Sequence, residues 1–365
     1  MTNGSPTSVM NIFWQHVAAL LLPDTYPLKV RRICVRPTHM AMVFLTEHHA
    51  WKLRRPLQQG AMDFRLRTSR LSDTLSEYEL DDHFAPGVCV GLSFLQPDAS
   101  SASGWTLKQM GLQSFVNRAE TSESGEPVLC MHRLPASGML NQRILSGSFK
   151  PSEGQRCVAM LARRLADRRA CDITPQWLID REISQSVANL SSLGRLSGER
   201  SSPLLIELEQ RLRSSLAHHR TQIAQRARGG QVKDGHGDLR PEHVCVAGAW
   251  ATRHGPAFID ALEFSQELRI RDTLSEIAGL AVECEFLGSA SAHQQLRQAW
   301  RGIDPLASDG LWHHYAGQHA LMRALHAAWH LDSPCTVTQA ETWRRKSAGW
   351  LQQARIQFCG SMSVT

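Results

Sequence analysis

At 365 residues, with 42% hydrophobic and 20% charged residues, the chain has the composition of a soluble globular protein and is long enough to favour two lobes over one core. The formal net charge of +6 comes mostly from arginine-rich helical stretches, Arg163-Arg164 with Arg168-Arg169 and Arg344-Arg345-Lys346. No aromatic interleaving or nucleic-acid motif accompanies them, so solvated helix faces are expected and a nucleic-acid partner is not.

In chain order, residues 8–22 carry an apolar helical pattern that stops at Pro23, which predicts an amphipathic helix packed on the first lobe. Short segments with strand character follow at Val30–Val35, Met40–Thr46 and Ala50–Leu53, the last two joined through Glu47-His48-His49 as a hairpin. Ser69–Phe84 reads as a helix with Leu71, Leu75, Tyr78 and Leu80 as its apolar positions, ended by Pro86-Gly87. Cys89–Leu95, Thr106–Met110 and Val128–Leu134 complete a small, mostly antiparallel sheet, with turns at Pro97–Trp105 and Glu120–Pro127. Beyond Pro135 the pattern becomes helical, over about 154–170, 175–196 and 203–228, the last ended by Gly229-Gly230. Further helices are expected over 272–288, 291–331 in two or three pieces, and 339–357. Strands with one helix, then a helix-rich half, give an α+β fold class.

Nine cysteines are scattered without a C-x-x-C pair, which argues against a disulfide scaffold or a metal finger and for reduced thiols. The apolar run Val17–Leu22 is too short for a signal core or a membrane span. A cytoplasmic protein without membrane association is the expectation.

Between the two helical blocks stands His236-Gly237-Asp238-Leu239-Arg240-Pro241-Glu242-His243-Val244-Cys245-Val246, followed after a turn-rich gap by Phe258-Ile259-Asp260. An acidic residue in a loop before one apolar strand, and a second at the end of the next, set two carboxylates on a hairpin. Phosphoryl transfer uses such a pair: one Asp orients and deprotonates an attacking hydroxyl, and another holds the magnesium that neutralises the polyphosphate.

These residues resemble the aminoglycoside phosphotransferase-like branch of the protein-kinase-like superfamily, whose catalytic loop reads roughly H-G-D-x-x-x-x-N. Val43-Phe44-Leu45-Thr46, Ala50-Trp51-Lys52-Leu53 and Ile259-Asp260-Ala261-Leu262-Glu263-Phe264 are similar to segments of a bacterial group in that branch with no assigned substrate, and the resemblance runs from about Ile33 to Leu331. It implies a protein-kinase-like bilobal fold: an N-terminal helical extension over 1–26, a small lobe with an antiparallel sheet and one helix over 27–134, and a larger helical lobe with the catalytic hairpin over 135–365. It implies ATP and Mg²⁺ as cofactors and transfer of the γ-phosphoryl group to a hydroxyl of a small-molecule acceptor. Asp238 would be the catalytic acid–base residue and Asp260 the metal ligand. Lys52 would contact the nucleotide phosphates, with Glu77 rather than Glu79 as its partner on the helix. His236 and Asp272 would support the catalytic loop, and Glu263 is read as a salt-bridge partner.

Two departures from the pattern bear on activity. His243 stands where the family has an Asn that gives a second metal contact; an imidazole suits other cations better than magnesium, so Mn²⁺ becomes an alternative metal. The segment Arg36-Pro37-Thr38-His39-Met40-Ala41-Met42 has no glycine for close backbone approach to phosphates, leaving the side chains of Thr38 and His39 as candidate contacts. Both departures support an alternative, a pseudokinase that binds nucleotide without turnover. His326 and His330 share a helix face but lack a third ligand, and are read as packing.

Overall fold

The computed structural model describes residues 6–362 apart from 60–61, 122–124, 197, 199–201 and 333–335. Part of the expected turn Glu120–Pro127 therefore lies outside the described residues. The chain divides into two compact units, Met1–Pro135 with Ala257–Ser265, and Ala136–Pro256 with Gln266–Thr365.

In the first unit, helix α1 (Pro6–Leu20) precedes strands β1 (Cys34–Pro37), β2 (Ala41–Leu45) and β3 (His49–Arg54), a two-residue ribbon of β4 (Gln58–Gln59) and β5 (Met62–Asp63), and helix α2 (Arg67–Phe84). Then come β6 (Cys89–Pro97), β7 (Trp105–Met110), helix α3 (Leu112–Thr121) and β8 (Glu126–His132). Six strands form one antiparallel sheet in the order β1-β2-β3-β8-β6-β7. The alternation of β3 explains its two faces. Trp51 and Leu53 point into an apolar layer with Phe13, Val17 and Leu20 of α1 and Phe44, Val128 and Cys130 of the sheet. Tyr26 ties the end of α1 to that layer, its hydroxyl donating to Leu20 O at 2.6 Å and its ring meeting Trp51 edge-on.

Lys52 and Arg54 alternate onto the other face, and α2 answers them with charge. Its deepest stripe is Arg70, Asp73, Thr74, Glu77, Leu80, Asp81 and Phe84, whereas Leu71, Leu75 and Tyr78, expected to lead the apolar face, are only half-buried. Helical periodicity was legible; which face went inward was decided by the cations waiting on β3. Helix α3 had no sequence counterpart, and it is anchored by Phe115 stacked on Phe94 with ring centroids 4.2 Å apart.

The second unit holds α4 (Leu140–Leu145), α5 (Pro151–Ala166), α6 (Pro175–Leu196) and α7 (Pro203–Arg228), then β9 (Val232–Asp234), β10 (Val244–Cys245) and α8 (Gly248–His254). Strand β11 (Ala257–Phe258) belongs to the first unit, after which the second resumes with α9 (Gln266–Arg269), β12 (Ile270–Asp272), α10 (Thr273–Phe286), α11 (Ala290–Arg301), α12 (Asp309–Trp329) and α13 (Val337–Ser361). A short helix, α8, thus replaces the bare turn expected between the two short strands. Helices α12 and α13 approach closely because Gly317 has no Cβ; one would lie 2.8 Å from the Phe358 ring. Trp350 of α13 stacks on Phe286 with centroids 3.7 Å apart and Trp343 stacks on His330, which packs α13 on its neighbours, while His326 stacks on the half-exposed Trp329 of its own helix. Among the described residues no helix is long and apolar enough to cross a membrane, and the described cysteines are free thiols.

Strand β9 pairs with β12, and Asp272 at the end of β12 caps α10 by accepting from Leu274 N at 2.9 Å. Its two oxygens also receive Arg226 of α7 at 2.6 and 2.7 Å, with Asp304 a second partner of the same guanidinium. Arg226 and Asp272 are fully buried, so removing one partner leaves an uncompensated charge. Arg226→Met is expected to cost about 3–5 kcal/mol in a denaturant titration, against a far smaller loss for Arg213→Met, whose partner Glu209 is exposed.

Candidate functional site

In the first unit, the Lys52 ammonium lies 2.6 Å from Glu77 Oε1 and 2.5 Å from Asp260 Oδ1. Glu79, one helical step away, is exposed. The second oxygen of Glu77 accepts from Arg54 Nη2 at 2.6 Å, and Arg54 also pairs with Asp73 at 2.6 Å and with Glu263. Burial works against the Lys52 ammonium, yet Asp260 and Glu77 outweigh it and hold its pKa above the usual lysine value. Two cations therefore pair with four carboxylates, Asp73, Glu77, Asp260 and Glu263, and a fifth, Asp81, adjoins Asp260.

Burial raises the pKa of Asp73 and Glu263 against the pull of Arg54, and burial followed by the charges of Glu77 and Asp260 raises Asp81 well above the usual carboxylate range. Protonation thus relieves part of the surplus negative charge. A raised folded pKa means stability that is present below about pH 4 and lost as pH rises through the raised value. Arg54→Met, which strips Asp73, Glu77 and Glu263 of their shared cation, is accordingly expected to lower the melting temperature more at pH 8 than at pH 5. A loss independent of pH would show that the carboxylates do not govern it.

Asp260 stands apart in two respects. Its side chain is 42% exposed, against 9% or less for Lys52, Glu77, Arg54 and Glu263. Among the described residues it is also the only non-glycine with positive φ, at 61°. Most side chains pay about 1–2 kcal/mol for that conformation, and Asp tolerates it better than most. The segment is pinned by Asp81, whose Oδ1 accepts from the Asp260 N–H at 3.0 Å, and by Glu263 on Arg54. Magnesium takes one or two carboxylates from a protein and keeps waters or phosphate oxygens for the rest, and Asp260 is the exposed carboxylate that could serve. No cluster of three or more His, Cys, Asp or Glu side chains poised for a metal occurs among the described residues.

Thr38 and His39 are exposed on the β1–β2 turn. Thr38 Oγ1 accepts from Ala41 N at 3.0 Å, closing the turn without glycine, and Arg55 donates to the carbonyls of Thr38 and His39. The Thr38 hydroxyl is thus already spent on the turn, and Arg55 is a residue the sequence reading missed.

In the second unit, the Asp238 loop leaves β9 through Gly237, at φ 84°, whose N–H donates to Glu276 Oε1 at 2.9 Å. Glu276 is buried in the first turn of α10, where burial raises its pKa against the pull of Arg271. A Cβ on Gly235 would lie 2.4 Å from the same Glu276 oxygen, so the glycines admit the carboxylate to the loop backbone. Sequence reading assigned loop support to Asp272 and overlooked Glu276. Asp272 instead joins Arg226, Tyr315 and the α10 N-terminus. His236 is fully buried, with its ring 6.5 Å from that of His243.

His243, expected as a metal contact, is engaged within the loop itself. Its Nδ1 lies 2.9 Å from the Asp238 carbonyl oxygen, and its Nε2 lies 2.9 Å from Arg240 Nη2. With Nδ1 toward the carbonyl and Nε2 toward the guanidinium, the ring clamps the loop from inside. The Asp238 carboxylate is 22% exposed, with Arg240 Nη2 3.2 Å from its Oδ2.

This architecture is the protein-kinase-like fold. It matches an aminoglycoside phosphotransferase solved with GDP and kanamycin at a TM-score of 0.52, 12% identity, covering 94% of this chain and 99% of the other. A mutant aminoglycoside 2′-phosphotransferase solved with GDP matches at 0.51, 11% identity, covering 92% and 95%. In sequence, an uncharacterized protein of Mycobacterium tuberculosis is 28% identical over 261 residues, covering 70% of this chain and 46% of its own, and a Mycobacterium bovis protein matches equally. The chain thus spans about half the length of the curated relatives it matches. No family model matches it.

Proposed function

We propose that the protein is a small-molecule kinase that transfers the γ-phosphoryl group of ATP to a hydroxyl of its acceptor. The observation that carries this reading is Lys52 held between Glu77 and Asp260 at 2.6 and 2.5 Å, in a chain that also carries the H-G-D loop. GDP in the two structurally similar phosphotransferases supports a nucleotide as the donor. A lysine fixed by a carboxylate is pre-positioned to bind phosphate oxygens, because its rotamer entropy is lost before binding. Asp260 would hold the Mg²⁺, which neutralises charge on the phosphates when bound. Asp238 would orient the acceptor hydroxyl and take its proton. Because phosphoryl transfer passes through a loose transition state, positioning matters more than base strength, and a carboxylate suffices.

The test is calorimetric titration of ATP and GTP with Mg²⁺ or Mn²⁺, followed by a phosphorylation screen of a metabolite extract. Saturable metal-dependent binding that Lys52→Ala weakens, together with a phosphorylated product, is the expected result. Binding with neither transfer nor ATP hydrolysis would make the chain a pseudokinase. Absence of nucleotide binding would remove both readings.

A further inference from the structure

Helices α6, α10 and α12 and strand β12 enclose a pocket in the second unit that the roles assigned above leave unused. Its volume is about 80 Å³, lined by Arg181, Glu182 and Asn189 of α6, Arg271 of β12, and Tyr315 and Gln318 of α12, among others. At roughly 10–15 Å³ for an ordered water, that is room for one small chemical group.

The polar groups of the lining are incompletely satisfied. Glu182 is 8% exposed, and its Oε2 has no hydrogen-bond partner among the described residues, an unfavourable state for a buried polar atom. Arg181 Nη1 donates to Glu267 O at 2.5 Å and its guanidinium lies over Trp177, while its buried Nε makes no hydrogen bond. Arg271 donates to Leu268 O at 3.1 Å and keeps its Nε 3.9 Å from Glu276. The other acids are committed elsewhere, Asp272 to Arg226 and Glu283 to His319 and Arg323. Two guanidiniums thus meet two carboxyl groups, Glu182 in the pocket lining and Glu276 beside Arg271.

We propose that this pocket binds an oxyanion, a carboxylate or phosphate group of a small hydroxylated molecule, with Arg181 and Arg271 neutralising it and Glu182 donating a hydrogen bond to it. Burial lifts the Glu182 pKa to about 8 despite Arg181 and Arg271, with Asp272 adding to the rise and Gln318 opposing it, so near neutral pH the group is an acid with a proton to give. Arg271 faces Glu276, and Glu276 accepts the N–H of Gly237, so the pocket lies one side chain from the backbone of the Asp238 loop. Resting on the phosphotransferase reading, the bound molecule is the acceptor, recognised by its anionic end.

The test uses the full chain and three probes: sulfate, whose charge is constant between pH 6 and 9, malonate, and choline as the cation. Calorimetry or ligand-detected NMR at pH 6.5 is expected to find saturable binding of sulfate and malonate. Arg181→Gln or Arg271→Gln should weaken it roughly tenfold or more, the scale for a hydrogen bond to a charged group, and Lys52→Ala should leave it unchanged. In the wild type, affinity should fall as pH rises through about 8, because Glu182 loses its proton and becomes a like charge; Glu182→Gln should abolish that dependence without touching either arginine. No saturable binding, binding indifferent to all three changes, or binding of choline in place of the anions overturns the inference. A second arm offers hydroxy acids, sugar phosphates and aminoglycosides as acceptors with labelled ATP. Transfer to the anions, lost in Arg181→Gln, supports the acceptor assignment. Oxyanion binding without transfer to any compound keeps the pocket and removes the kinase reading; transfer to aminoglycosides that Arg181→Gln leaves intact overturns the acceptor assignment.

Discussion

Asp238→Asn is expected to keep nucleotide binding while lowering phosphotransfer by roughly 10²–10⁴-fold, the range for removing a positioned acid or base. The substitution isolates chemistry from folding because the loop is not built on this carboxylate. Gly237 N–H is held by Glu276, and the Asp238 carbonyl, which the variant retains, is held by His243 Nδ1. The amide fills the same volume, and Arg240 keeps Glu242 at 3.1 Å as a charged partner. What is lost is a lone pair able to accept the hydroxyl proton. A fall in kcat with nucleotide KM and melting temperature unchanged is the expected signature. An unchanged transfer rate would sink the mechanism, and a lowered melting temperature with a parallel loss of nucleotide binding would return Asp238 to a structural role.

The parts of the site written as local sequence were legible. Lys52 on a strand, Glu77 rather than Glu79 on α2, and Glu263 as a salt-bridge partner were expected from the resemblance, and Lys52 pairs with Glu77 and Glu263 with Arg54. Helices α6 and α7 begin and end where Pro175, Pro203 and Gly229 punctuate the chain. Contacts that cross long sequence separations were not legible. Arg54 looks like any strand arginine until Asp73 and Glu263 converge on it, and nothing local separates Glu276 from an ordinary first-turn acid that complements a helix dipole. The available signal was compositional: a helix whose Asp73, Glu77 and Asp81 repeat every fourth residue needs a cationic surface to bury against, and Lys52 with Arg54 supplies one.

His243 shows the limit of a motif, which places a residue in a slot without fixing what its side chain touches. The Asn of the family pattern invited a metal-ligand reading of whatever replaced it. Here the neighbouring Arg240 donates to one ring nitrogen and the loop's own carbonyl occupies the other. An imidazole four bonds long can reach back into a tight loop, and a donor three residues upstream fixes which nitrogen carries the proton.

Asp260→Asn is expected to weaken metal-dependent nucleotide binding by at least roughly 10–100-fold, the loss known for removing even a supporting group at a metal site. Asparagine is the informative replacement because it tolerates the φ of 61° and keeps the backbone N–H that Asp81 receives. Alanine would add backbone strain to the loss of charge. Lys52 retains Glu77 at 2.6 Å, so its position survives. Removing one carboxylate from a cluster of five around two cations should also leave the metal-free protein at least as stable as the wild type, since less like charge remains for Asp81 and Glu263 to relieve. The expected pattern is therefore a lost metal-dependent increment in nucleotide affinity with an equal or higher melting temperature in chelator. An increment of the same size in wild type and Asp260→Asn would show that the metal is held elsewhere, and a destabilised apo variant would show that Asp260 serves the Lys52 ion pair before it serves a cation.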